Sequence, residues 1–297
     1  MFSHIALSFR YLLFALIRVL FQSVGRILPG LFARWAIQLW GKAERLPWRS
    51  WERAIIDKAS QEMLQVDGET VCTYVWAETG GESPHETRRS ILLAHGWNSR
   101  ASHFKNYIQR LTGLGYRVVG FDAIGHGNSS GNWTSVIGYQ ATLAAVDNRY
   151  GPFHAVMGHS FGGFCIPHAL ANKSQPLRSA RAVLIAAPDN MAWLYERFMR
   201  ILKAPTPVKL AVRRQLEKRF GEDFWDRYSV PTNATRLGHI PALIVHDVDD
   251  PGVPLELAQV NHEAWPHSEL LVTHKLGHHR ALRHPSAVNP IIDFITD

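Results

Sequence analysis

Residues 153–173 read FHAVMGHSFGGFCIPHALANK. FHAVMGH is a short apolar run of the kind that forms a buried strand. FGGFCIPHALANK reads as a helix, so the chain must turn sharply at Ser160. Gly158 and Gly162, two residues to either side, lack a Cβ and let strand and helix approach closely there. A serine on so tight a turn projects its hydroxyl from the sheet. The G-x-S-x-G spacing arises often by chance; the strand before it and the helix after it give it weight.

Working outward, similar apolar runs occur at SILLAH (90–95), YRVVGFD (116–122), RAVLIAA (181–187), ALIVHD (242–247) and ELLVTH (269–274). MLQVD and VCTYVWA flank Gly68 and read as an opening hairpin. Helical segments, ASHFKNYIQRLTGLG and SVIGYQATLAAVDNRYG among them, lie between the later runs. This alternation predicts an α/β fold with a mainly parallel sheet covered on both faces. About fifty residues between Ala187 and Ala242 carry no strand-like run. MAWLYERFMRILKA, VKLAVRRQLEKRF and EDFWDRY look helical, with Pro205 and Pro207 between the first two. We read residues 190–238 as a small helical cap, since so long an interval needs structure of its own. Trp193, Leu194, Phe198, Met199, Leu202, Phe220 and Phe224 or Trp225 could line an apolar acyl pocket or form the cap's own core.

Three loops at strand ends carry the chemistry. Acyl transfer develops an oxyanion that needs fixed N–H donors. The backbone N–H of Phe161, at the helix start, is one candidate, and that of Trp97, in His95-Gly96-Trp97, is the other. His95 itself reads as a brace for this loop. Asp122, at the head of DAIGHGNS (122–129), reads as a turn organiser among glycines. Taken together, HGW, DAIGHGNS and GHSFGG resemble the α/β-hydrolase superfamily. The resemblance spans about residues 63–297 and implies the chain order Ser, Asp, His.

His246-Asp247-Val248-Asp249-Asp250-Pro251-Gly252-Val253-Pro254 resembles the family's H-G-x-x-D-x-x-V-P segment and puts the catalytic acid on Asp250. Asp247 stands where the family has Gly. Leu276-Gly277-His278-His279-Arg280 resembles the family's final G-H segment and puts the base on His278. Asp189 and Asp249 remain competing acids, and His279 a competing base. A serine hydroxyl is a poor nucleophile at neutral pH and needs an imidazole to take its proton. A carboxylate then fixes the imidazole's tautomer and steadies its charged form. His126 and His159 read as structural, and His262, His267, His274 and His284 as surface residues. The sequence has no H-E-x-x-H and no nucleotide-binding loop, so neither metal nor cofactor is implied.

The first sixty residues have another character. They hold nine Lys or Arg against three acids, six of the chain's seven net positive charges. Nucleic acid is a poor fit, because the basic excess lies outside the folded domain and among Phe2, Phe9, Phe14, Phe21, Phe32 and Trp35. Arg10 and Arg18 argue against a membrane span over residues 5–24, since each charge near a helix centre costs about 3 kcal/mol. A secretory signal fits no better. At 100° per residue, His4, Ser8, Tyr11, Ala15, Arg18, Gln22 and Arg26 form one narrow polar stripe on an otherwise apolar helix, which suits the membrane interface. Pro29-Gly30 breaks this helix, and LFARWAIQLW starts another. Residues 1–45 are therefore expected to meet an anionic membrane surface. The alternative is that these helices pack on the catalytic domain or on a second subunit.

These readings divide the chain into an amphipathic helical segment (1–60) and an α/β-hydrolase domain (61–297). Two cysteines, Cys72 and Cys165, exclude a disulfide scaffold and suit a reducing, cytoplasmic setting at the inner face of a membrane. The expected activity is that of a serine hydrolase cleaving a carboxylic ester or thioester, lipid-derived esters included. Amidase, carbon–carbon hydrolase and acyltransferase chemistry use the same three residues. A non-catalytic binding module is the reading from another class.

Overall fold

The computed structural model describes residues 2–77 and 89–297, with the backbone alone for residues 2–11. Its centre is an eight-stranded sheet in the order β1-β2-β4-β3-β5-β6-β7-β8. The strands are β1 (Ser60–Val66), β2 (Glu69–Trp76), β3 (Ser90–Ala94), β4 (Arg117–Phe121), β5 (Ala155–His159), β6 (Ala182–Ile185), β7 (Ala242–Asp247) and β8 (Ser268–Thr273). All eight coincide with the apolar runs of the sequence. β1 and β2 form the expected hairpin, closed by Asp67 and Gly68 with φ of 51° and 82°. Positive φ at both turn residues is what a two-residue turn of the right twist requires. β2 pairs antiparallel with β4, and every later pairing is parallel.

Burial follows position in the sheet. Every residue of β3, β5, β6 and β7 is buried, whereas the edge strands β1 and β8 keep exposed positions. That is the signature of a parallel sheet with helices on both faces. Five longer helices cover it: Lys105–Gly113, Val136–Tyr150, Phe161–Leu170, Leu255–Ala264 and Pro285–Thr296. The strand ends carrying the HGW loop (after β3), the serine turn (after β5) and the Asp250 loop (after β7) all lie at the carboxyl edge of the parallel part of the sheet, with β3 beside β5 and β6 between β5 and β7. Open α/β sheets bind ligands there.

The chain divides into two compact units. The larger contains the sheet and comprises Ala43–Asp189 and Tyr228–Asp297; the smaller joins Met1–Lys42 to Asn190–Arg227. The smaller unit is all helix: Phe2–Gln22, Val24–Ile27 and Pro29–Gly41 from the amino terminus, then Met191–Leu202, Thr206–Phe220 and Phe224–Arg227. The helical path breaks at Leu28, as expected near Pro29-Gly30, and Pro29 is the first residue of the next helix, where its missing N–H is not needed. Thr206–Phe220 likewise carries Pro207 in its first turn.

Aromatic packing holds the smaller unit together. Phe21 lies 5.1 Å from Phe32 and 5.2 Å from Trp35 between ring centroids, and Trp40 stacks on Phe198 at 5.7 Å. Gly25 is needed where two helices close up, since a Cβ there would stand 3.2 Å from Val208 and 3.3 Å from the Phe32 ring. Tyr195, Trp225, Phe224 and Phe220 form a further chain of ring contacts, so much of the apolar set of the insertion is spent on its own core. Among the described residues no helix is long and apolar enough to cross a membrane.

Candidate active site

Ser160 sits between β5 and the helix Phe161–Leu170 with φ 52° and ψ −118°, a conformation that L-residues rarely adopt. The glycines around it are required by contact. A Cβ on Gly158 would come within 2.5 Å of the Gly163 nitrogen, and one on Gly162 within 2.2 Å of the Ala94 carbonyl oxygen. The Ser160 N–H is anchored to the Ile185 carbonyl at 2.8 Å. The turn is thus wedged between β3 and β6 and cannot relax without moving both.

Two later loops come to this serine. His278 is the second residue of the short helix Gly277–Arg280 after β8, and its Nε2 lies 2.9 Å from Ser160 Oγ. Its Nδ1 lies 2.6 Å from Asp250 Oδ2. A carboxylate only accepts, so Nδ1 carries the proton and Nε2 accepts the Ser160 hydroxyl. The other oxygen of Asp250 takes the Gly252 and Val253 N–H groups at 2.7 and 3.0 Å. Burial pushes the Asp250 carboxyl up, but the His278 contact and these N–H donors outweigh it and hold it below the usual aspartate range. Asp249 points elsewhere: its Oδ2 accepts the Lys275 N–H at 2.7 Å. The carboxylate against His278 is that of Asp250, and Asp189 lies on the segment that bonds the Val230 N–H. The His279 ring lies 4.9 Å from His278, off the Ser160–Asp250 line.

The HGW loop closes over the turn. A Cβ on Gly96 would stand 3.1 Å from Ser160 Cβ, and the Trp97 and Phe161 rings meet edge to face at 5.1 Å. Phe161 is the first helical residue, where an amide has no carbonyl one turn back to bond. His95 braces the loop, its Nδ1–H donating to Gly96 O at 2.7 Å and its Nε2 accepting the Ala123 N–H at 2.9 Å. Burial, with the neighbouring His126 adding to it, holds its imidazole far below its ordinary pKa and so neutral. Asp122 is wholly enclosed, accepting from Tyr74 Oη, the Asn128 N–H and the Ala101 N–H at 2.8, 2.8 and 3.0 Å. It organises the turn, and the site chemistry lies elsewhere. His159 is also inside, donating from Nε2 to the His278 carbonyl at 2.7 Å.

One residue of the arrangement was visible in the sequence only as a departure from the family pattern. Asp247, at the end of β7, accepts four hydrogen bonds. Its Oδ1 takes the Asp249 and Gly277 N–H groups at 3.0 and 2.9 Å, and its Oδ2 takes the Thr273 hydroxyl and the Leu276 N–H at 2.8 and 3.0 Å. Burial opposes its charge, yet the donors prevail and its pKa is depressed. The side chain ties the loop bearing Asp250 to the loop bearing His278. Its sequence signal was a carboxylate in place of glycine at a strand end.

Comparison with known proteins agrees with this architecture. A family model described as the alpha/beta hydrolase family matches residues 91–291. A non-heme chloroperoxidase of Streptomyces lividans is 34% identical over 100 residues, 33% of this chain and 36% of the relative. An acyl transferase of Photorhabdus laumondii is 32% identical over 94 residues, 30% of each chain. The match thus spans about a third of the length of these relatives. Among solved structures, an esterase from Pyrococcus furiosus aligns with a TM-score of 0.60 at 19% identity, covering 86% of this chain and 96% of its own. That likeness concerns the fold.

Proposed function

The chain belongs to the alpha/beta hydrolase family, and from that premise we propose that it is a serine hydrolase cleaving a carboxylic ester or thioester through an acyl-enzyme. The reading rests on one observation: an unbroken hydrogen-bonded line from Ser160 Oγ through His278 to Asp250, set on a strained turn. Ser160 Oγ attacks the substrate carbonyl carbon as its proton passes to His278 Nε2. Asp250 keeps Nδ1 protonated and steadies the imidazolium. The oxyanion is held by the N–H groups of Trp97 and Phe161. The tetrahedral adduct collapses, the C–O or C–S bond to the leaving group breaks, and Nε2–H protonates the departing alcohol or thiol. Water then attacks the acyl-enzyme with His278 as base, which releases the acid and restores Ser160.

Both cysteines are buried free thiols, in keeping with a cytoplasmic protein. The basic, apolar amino-terminal helices favour lipid-derived esters met at the inner face of a membrane. The likeness to acyl transferases supports a second reading, in which an alcohol replaces water in the last step. The test is pre-steady-state turnover of p-nitrophenyl esters of graded acyl length, with and without an added alcohol. A burst of one p-nitrophenol per protein, lost in Ser160→Ala, is expected; acyl ester in place of free acid would favour the transferase. Steady turnover by Ser160→Ala would remove the acyl-enzyme.

A further inference from the structure

The charge excess sorts with the units rather than with the termini. The smaller unit holds fourteen Lys or Arg against five Asp or Glu, a net +9, although the whole chain is only +7. Residues 1–43 contain no acid at all. On this basic unit the amino-terminal helices leave large apolar side chains exposed to water. Leu12, Leu16 and Val19, spaced four and three residues apart on one helical face, are exposed, as are Ile27, Leu28 and Leu31 on the two helices that follow. Leu16 is 55% exposed and Ile27 79%. Of the two arginines of the polar stripe, Arg18 is turned inward, its Nε donating to the Ile201 carbonyl at 2.8 Å. Arg26 and Arg34 stand exposed beside the leucines. An isolated exposed leucine is ordinary, but an apolar stripe of eight exposed residues between Leu12 and Leu31, Leu13 and Val24 included, with no acid among them, is not.

We propose that this stripe is the face by which the protein lies on an anionic lipid bilayer, its leucines and isoleucine entering the acyl region and Arg26 and Arg34 meeting lipid phosphates. The chemistry selects this occupant. Nucleic acid would use the charge and leave the apolar stripe in water. A second copy of the chain would bring one +9 unit against another. An anionic bilayer satisfies both halves of the surface. The inference deepens the membrane part of the proposed function and is independent of the hydrolase chemistry.

The experiment is flotation of the full chain with vesicles of phosphatidylcholine alone and of phosphatidylcholine mixed with phosphatidylglycerol. Binding should favour the anionic vesicles and weaken with salt. Leu16→Gln and Ile27→Gln should each lower affinity about tenfold, from the apolar transfer lost. Arg26→Gln and Arg34→Gln should each lower the preference for anionic vesicles about fivefold. All four positions are exposed, so Tm and turnover of a small soluble ester should match the parent. Ser160→Ala should float as the parent does, which separates this claim from the catalytic one. A parent that ignores anionic vesicles, or Leu16→Gln with Ile27→Gln floating undiminished, would overturn the proposal. A parent that is a dimer, ignores vesicles and is made monomeric by those changes would assign the stripe to a second copy instead.

Discussion

Replacing Asp247 tests whether the site is held together from behind. In Asp247→Ala the buried Leu276 N–H loses its acceptor, the Thr273 hydroxyl keeps only the long bond to the His246 carbonyl at 3.5 Å, and the Asp249 and Gly277 N–H groups turn to water. A buried donor left unsatisfied costs about 1–3 kcal/mol and the lost hydroxyl bond about 1 kcal/mol, so the two together cost about 2–4 kcal/mol. For a domain of this size that is a fall in Tm on the order of 10 °C. Asp247→Asn should do little better, because each carboxylate oxygen accepts two donors and the amide nitrogen would oppose one such pair. Thr273→Val removes a single hydroxyl from this set and should cost about 1 kcal/mol. The hydrogen bonds of Asp247 go to Asp249, Thr273, Leu276 and Gly277 rather than to Ser160, so its effect on rate runs through the Asp250 and His278 loops. A displacement near 1 Å costs about a hundredfold in kcat, with KM for a small ester hardly changed. Thermal melts and steady-state kinetics on p-nitrophenyl acetate read both quantities. Parent Tm and kcat in Asp247→Ala and Asp247→Asn would refute the reasoning.

Other perturbations separate the competing readings of the sequence. Asp250→Asn should lower kcat by about 10⁴ through the wrong imidazole tautomer, whereas Asp189→Asn and Asp249→Asn should keep most of it; kinetics of the three variants decide the acid. Gly162→Ala would drive a Cβ to 2.2 Å from the Ala94 carbonyl oxygen, so it should yield little folded protein by circular dichroism, whereas Gly113→Ala, with nothing near its Cβ, should fold. Burial, the first cause in each case, pushes His126 down to about 4 and His159 and His168 down to about 3, from an ordinary 6.5. The unfolded imidazoles take up protons as pH falls below 6.5 while the folded ones do not. Each therefore contributes stability that is complete above that value and lost toward pH 3–4, at up to about 1.4 kcal/mol per pH unit. Urea midpoints should fall steadily from pH 7 to pH 4, and His168→Gln, away from the serine, should flatten the slope.

The sheet was legible because its signals are local. The central strands are short apolar runs bounded by turn residues, and their length and flanking glycines, rather than any period, separate them from the helices. Ser160 was legible for the same reason, since the strand, the glycines and the helix are contiguous. Asp250 and His278 lie 90 and 118 residues further on, and only a family pattern connected them to Ser160. The sequence left Asp249 and Asp189 open because three acids crowd one loop and a fourth follows another strand. Geometry separates them, through the Lys275 N–H that engages Asp249. Asp247 could be seen as unusual but not as a clamp, because three of its four donors, on Thr273, Leu276 and Gly277, return at the end of β8 and in the turn after it, 26–30 residues later. The pairing of Trp40 with Phe198 had no signal at all, since neither side chain's partner is fixed by any local period. That contact joins the amino-terminal helices to the insertion in one unit.

The central claim is that Ser160 is a nucleophile activated by His278. Intact-protein mass spectrometry after treatment with a fluorophosphonate, followed by peptide mapping, tests it most directly. The account predicts one adduct per chain, on Ser160, formed by the parent, slowed by orders of magnitude in His278→Ala and absent in Ser160→Ala. An ester-cleaving parent that takes no adduct, or takes it on another residue, would contradict it.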